Sequence, residues 1–224
     1  MSVVRPVMPV LADHGPALRI ITSATRESLK PLGLSQRGRS RLWVDDHEWW
    51  LGVVGFTPPR TTGSGLYVGA MWLWHDVNHL AFHMDAVRTG PESFRTEDQF
   101  TPPALELGRQ AAAQVTAPRK TFPDLRSVAR HLTSRPVRQG FLWDSFDTGI
   151  AAALVGDPVT ARDHFERVPR EDPLAPWMVQ AHEKARELHA VAPDRDAVTA
   201  WVVRAVDSCR SKLGLDPVPP LAIS

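Results

Sequence analysis

Residues 66 to 86 read LYVGAMWLWHDVNHLAFHMDA, and the fold turns on how this stretch is divided. His75, His79 and His83 recur every four residues, so a helix would set them in one row along its surface. Strand pairing gives a second reading. With Asp76-Val77-Asn78 as a three-residue turn, His75 opposes His79, Trp74 opposes Leu80, Trp72 opposes Phe82 and Ala70 opposes Met84. One face of that hairpin is wholly apolar, which is the agreement between register and burial that paired strands require. The hairpin is therefore the expected form.

Upstream of it the chain already alternates with a period of two. Leu42 and Val44 alternate with Arg41, Trp43 and Asp45; Asp46-His47 makes a turn; Trp49, Leu51 and Val53 then alternate with Trp50, Val54 and Phe56. Pro58-Pro59 ends this second strand, and RTTGSG leads into the third. Residues 39 to 86 thus read as a four-stranded antiparallel meander. Before it, Pro16 suits a first helical turn, and Leu18, Ile21, Thr25, Leu29 and Leu32 follow at helical spacing until Pro31 and Gly33 stop the helix, about 13 to 31. After Gly90-Pro91 the character changes to helices punctuated by proline, at 103 to 115, 123 to 134, 139 to 155, 159 to 168, 175 to 190 and 195 to 213. In the last, Asp194 is the N-cap, Val198, Trp201, Val202, Ala205, Val206, Cys209 and Leu213 form one stripe, and Gly214 lies just past the end. An extended tail is expected from 217. The expected fold class is α+β: an N-terminal helix on the meander, then a helical C-terminal half. The domain division that follows is 1 to 138 and 139 to 224.

Composition bounds the function. The chain has 224 residues, 43% hydrophobic and 23% charged, with a formal net charge of +1, which argues against a dedicated polyanion binder. A single cysteine, Cys209, excludes an intramolecular disulfide and the cysteine-rich zinc motifs, and suits a reducing cytoplasm. Pro6 and Pro9 interrupt the mildly apolar N-terminus, so no signal peptide is read there, and no apolar run approaches the roughly 18 residues of a spanning helix. Cytoplasmic location is the expectation. Arginine outnumbers lysine 22 to 4, which reflects genome composition rather than function.

Leu29, Leu32-Gly33-Leu34, Arg37-Gly38-Arg39, the Trp49 to Phe56 strand and the Gly65 to Leu73 strand follow a helix, a basic turn and an aromatic meander. In this order residues 1 to 90 resemble a bacterial family, the domain of unknown function 4304. The resemblance implies a small α+β fold and carries no activity. Gly149, Ala152, Gly156, Ala161, Phe165 and Pro173, within 142 to 175, are similar to one tetratricopeptide-like helical hairpin. Ser145 and Thr148 stand at that family's leading Trp and Leu positions and no second copy follows, so a simple packed helix pair is expected.

Several constellations could carry chemistry. On paired strands His83 would lie about 13 Å beyond His75 and His79, too far for three ligands to converge, so no metal and no cofactor is expected. Asp45-Asp46-His47-Glu48 reads as a solvated polar turn rather than an acid/base pair. Trp43, Trp49, Trp50, Trp72 and Trp74 either pack the core or line a partly exposed aromatic groove. Arg109, Arg119, Lys120, Arg126, Arg130, Arg135 and Arg138 form a basic run with only Asp124 against it, and Arg126 and Arg130 share a helical face. No dinucleotide fingerprint, P-loop, nucleophile elbow or zinc-protease motif occurs. The leading function is non-catalytic recognition of another protein through the aromatic sheet and the helical half. The candidate binding residues are Trp43, Trp50, Tyr67, His75, His79, Arg126 and Arg130. The alternatives are an enzyme with its site on the His75/His79 face and a weak nucleic-acid binder using the 109 to 138 patch.

Overall fold

The computed structural model describes residues 15–38, 40–57, 64–84, 87–138 and 140–219. The N-terminal stretch around Pro6 and Pro9, the loop that starts at Pro58-Pro59, Asp85 and the end of the proline-rich tail lie outside them. In chain order the elements are α1 (Gly15–Leu29), β1 (Ser35–Gln36), β2 (Leu42–Asp46), β3 (Trp50–Phe56), β4 (Ser64–Trp72), β5 (Val87–Glu92), α2 (Glu97–Thr121), α3 (Leu125–Thr133), α4 (Leu142–Leu154), α5 (Pro158–Arg167), α6 (Pro176–Val191) and α7 (Arg195–Leu213). This is an α+β protein. The sheet order is β1-β2-β3-β4-β5, so each strand lies beside its neighbour in sequence and the sheet is a meander. Among the described residues no helix is long and apolar enough to cross a membrane.

The chain divides into two compact units that alternate along the sequence. Among the described residues the first comprises 15–38, 40–45, 54–57, 64–68 and 87–114. Here Ile21, Ala24 and Leu29 are buried along one side of α1, and Phe100, Ala104, Leu107 and Ala111 along one side of α2. The two helices meet at Gly108, where a Cβ would stand 2.9 Å from the Ala24 carbonyl oxygen, so only glycine permits this approach. Tyr67 packs over Gly55, and the Arg88 guanidinium lies 6.0 Å from the Tyr67 ring centre.

The sheet has five strands where four are expected, and the difference lies at both edges. β1 is a two-residue strand registered on β2 by Gln36 opposite Trp43. At the other edge the hairpin at Asp76 to Asn78 does not form: β4 is partnered by β5, with Val68 opposite Val87 and Tyr67 opposite Arg88. The Gly90-Pro91 pair read as a boundary thus lies inside a strand. An edge strand allows this because one of its sides needs no ladder donors, and a bulge between Ser64 and Leu66 takes up the irregularity.

Among the described residues the second unit comprises 46–53, 69–84, 115–138 and 140–219. After β4 the chain makes a 3₁₀ turn at Leu73–His75, closed by Asp76 in the left-handed region at φ 57°. It then returns as irregular backbone. The amides of His83 and Met84 both donate to the Ala70 carbonyl, at 2.9 and 3.1 Å. Lys184 Nζ holds the His75 carbonyl at 3.2 Å, Lys212 Nζ holds the Asp76 carboxylate at 2.7 Å, and Cys209 Sγ donates to the Val77 carbonyl at 3.4 Å. Side chains from α6 and α7 therefore satisfy carbonyls that a strand partner would otherwise have taken.

Trp49, Trp72 and Trp74 stack with ring centres 5.2 to 5.9 Å apart, and Phe122 meets Trp50 and Trp72 edge-on. Asp124, Asp157 and Asp194 cap α3, α5 and α7 by accepting from amides of the first turn. α4 and α5 form a tight helical pair because Gly149 faces Phe165, whose ring would lie 2.6 Å from a Cβ at 149. The last helix spans the expected residues, with its stripe from Val198 to Leu213 buried and Gly214 at φ 61° ending it.

Candidate functional site

Helix α4 runs LWDSFDTGIAAAL, and a carboxylate in so apolar a helix needs partners. Asp147 has them. Its Oδ1 accepts the Trp74 indole N–H at 2.8 Å and shares a 2.7 Å hydrogen bond with His75 Nε2, all three side chains being buried. Among the described residues no hydrogen bond reaches Oδ2. Burial pushes the Asp147 carboxyl up to about 7, and pulls His75 down to about 3 with the nearby Lys184 adding to the effect. The two groups are thus held together with His75 neutral.

The His75 ring stacks on His83 with centres 3.8 Å apart. This corrects the expectation of 13 Å between them: without a regular strand the return segment folds His83 back over His75. His83 Nδ1 accepts the backbone N–H of Trp72 at 3.0 Å, which leaves the proton of the neutral ring on Nε2. Burial, and then the neighbouring His75, lower the His83 pKa well below the ordinary value. His79, by contrast, is exposed and contacts Asn78. The His75/His79 pair is not a shared face, and His75 with His83 and Asp147 is the constellation that forms.

His83 and Asp147 line a narrow cleft with about 10 Å³ of water-accessible room, together with Met84, Leu132, Arg135 and Asp144. Asp144 is held by Arg138 through two bonds of 2.7 and 2.8 Å; burial alone would raise its pKa, and the Arg138 bonds bring it below the usual carboxylate range. Arg135 Nη1 lies 3.2 Å from the Met84 sulfur. Among the described residues no three His, Cys, Asp or Glu side chains are grouped so as to hold a metal ion.

A second feature is aromatic. Trp143, at the first turn of α4, touches His75 at 4.3 Å between ring centres and stacks on Trp177 of α6 at 5.6 Å and 18°. Trp177 is 48% exposed, Leu174 is 88% exposed and Phe141 52%, with the Arg138 guanidinium 4.2 Å over the Phe141 ring.

The other expected site residues are placed as follows. Trp43 and Trp50 are buried, at 3% and 2% exposure, so the sheet tryptophans are core and not an open groove. Tyr67 is half-buried beneath Arg88. Arg126 and Arg130 are exposed on α3, while two cations of the same basic run are neutralised, Arg109 by Glu106 and Arg138 by Asp144. The acidic turn is not uniformly solvated either: Asp45 is buried, and Asp46 binds the buried Arg210 through both oxygens at 2.7 and 2.8 Å. Sequence reading passed over Asp147, Trp143 and Trp177. The signal for Asp147 was present, a lone acid within FDTGIAAAL, whereas the two tryptophans lie 34 positions apart and only the helix packing joins them. No family model, curated protein or solved structure matches this chain.

Proposed function

We propose that this protein recognises another protein through its helical half, with the Trp143–Trp177 stack at the centre of the surface. The observation that supports this is the pair itself: one large ring half in solvent, braced from behind by a second, with Leu174 and Phe141 also exposed in the same unit. An exposed apolar side chain gains no burial energy in the isolated protein, and a braced tryptophan loses little further rotamer freedom on binding, which is why Trp dominates interface energetics. The sheet tryptophans first considered for this role are committed to the core. Nucleic-acid binding has less support, since ion pairs remove two of the charges it would use. The reading places the protein in the cytoplasm, which its lone thiol, Cys209, suits.

A displayed peptide library selected on the intact protein tests the proposal. Binders that lose affinity tenfold or more on Trp177→Ala, with melting temperature unchanged, support it. Binders indifferent to Trp177→Ala and Leu174→Ala overturn it. Salt-dependent DNA binding tighter than about micromolar, lost on replacing Arg126 and Arg130, would put nucleic acid in its place.

A further inference from the structure

We propose that the groove between α6 and α7 binds a small zwitterion of the amino-acid class, its carboxylate on Arg204, its ammonium group on Glu187 and an apolar side chain against Trp201 and Ala205. The inference is independent of the protein-recognition reading, since it rests on different residues.

Spacing builds the two walls. Lys184 and Glu187 are three apart on α6, and Arg204 and Ala205 follow Trp201 by three and four on α7, so each set lies on one side of its helix. The two sets line one groove, joined by Asp76 from the turn after β4. It has about 220 Å³ of water-accessible room. A single water needs roughly 10–15 Å³ of such room, so the groove takes a ligand on the order of ten heavy atoms. Ala205 and the small exposed part of Trp201 are the apolar portion of the lining.

The lining carries two cations and two acids. One of each is engaged: Asp76 accepts from Lys212 Nζ at 2.7 Å, and Lys184 donates to the His75 carbonyl at 3.2 Å. Arg204 and Glu187 remain. Both are exposed, and among the described residues neither makes a hydrogen bond or an ion pair, with the other or elsewhere. Opposite charges thus stand on the two walls of one groove without touching. A simple anion on Arg204 would also meet Glu187, and a simple cation on Glu187 would also meet Arg204 and Lys184. A ligand with both signs satisfies both walls. An amino acid carries them on one carbon, from which its side chain also projects, and its planar carboxylate matches the guanidinium fork. Each exposed ion pair is worth little alone. Two made by one molecule share a single association cost, so the zwitterion gains over either half.

NMR titration and calorimetry with L-leucine and L-phenylalanine test this, at about pH 6.5, where the amino groups are protonated. N-acetyl-leucine, which keeps only the carboxylate, and leucinamide, which keeps only the ammonium group, are the opposing probes. Leucine is expected to bind roughly tenfold more tightly than either. Arg204→Gln should weaken leucine and leave leucinamide unchanged; Glu187→Gln should weaken leucine and leave N-acetyl-leucine unchanged. Both side chains are exposed, so neither substitution endangers the fold. No binding of either amino acid at millimolar concentration, binding of N-acetyl-leucine or leucinamide as tight as that of leucine, or leucine binding indifferent to both substitutions would each overturn the proposal.

Discussion

The imidazole of His83 takes the place of a strand partner for Trp72: its Nδ1 accepts the Trp72 backbone N–H at 3.0 Å, eleven residues away in the chain. A side chain thus completes the pairing where β4 gives way to the 3₁₀ turn. His83→Ala leaves that N–H without an acceptor, at an expected cost of about 1–3 kcal/mol in chemical denaturation. His83→Gln, whose amide oxygen can accept, should recover part of it. Equal stability of the alanine variant and the wild type would show that water or backbone replaces the bond.

The buried Asp147, His75 and His83 set the pH dependence of stability. Near pH 5 the unfolded chain carries Asp147 ionised and both imidazoles protonated, since their ordinary values are 3.8 and 6.5, so it binds two protons on these groups. The folded protein binds one, on Asp147, because both histidines are held neutral. Stability is therefore lost as pH falls below the unfolded histidine value, by about 1.4 kcal/mol per pH unit from this group. In Asp147→Asn the folded state binds none of the two, and the slope should double. Between the unfolded histidine value and about 7 the slope falls to near zero in the wild type alone, as the proton that folded Asp147 still holds offsets those left on the unfolded histidines. Denaturant titrations across this range check both slopes; identical slopes near pH 5 would show that Asp147 stays ionised in the folded state.

Arg210 is a buried clamp. Its guanidinium binds both Asp46 oxygens, the Glu48 carbonyl at 2.7 Å and the Asp216 carbonyl at 2.8 Å, with the side chain 2% exposed. Arg210→Ala should cost about 3–5 kcal/mol, because a carboxylate and two carbonyls lose their donor together. Asp46→Asn leaves the guanidinium, 2% exposed, without its counter-charge and should likewise cost several kcal/mol, about 3. A cost for Arg210→Ala under about 1 kcal/mol would mean that the turn repacks.

Two tryptophans make a matched contrast. Trp201, 8% exposed and edge-on to Phe146 at 6.5 Å, should cost about 3–5 kcal/mol as alanine. Trp177, half in solvent, should cost under about 1 kcal/mol, as a surface residue does. Comparable losses at both positions would make Trp177 a structural residue and remove the basis for the proposed interaction surface.

By itself the sequence determined the class and the helical elements of this protein. Periodicity and caps are local, so the Asp194 cap, the Val198 to Leu213 stripe and the Gly214 stop could be read directly, as could the presence of β2 and β3, although β3 is buried on both faces rather than on alternate residues. Only the tertiary structure decided residues 73 to 84. Their apolar alternation suits a strand as well as it suits loop residues folded onto a core, and the outcome turned on Lys184, Lys212 and Cys209, more than 100 positions away, satisfying the carbonyls of His75, Asp76 and Val77. The cleft depended on the same step. A strand would have carried His83 away from His75; folded back, it lies against His75, and Asp147 of α4 meets both at a depth where burial governs their protons. Spacing along a chain records which residues share an element, whereas a buried proton-binding group is created by what other elements bring to it.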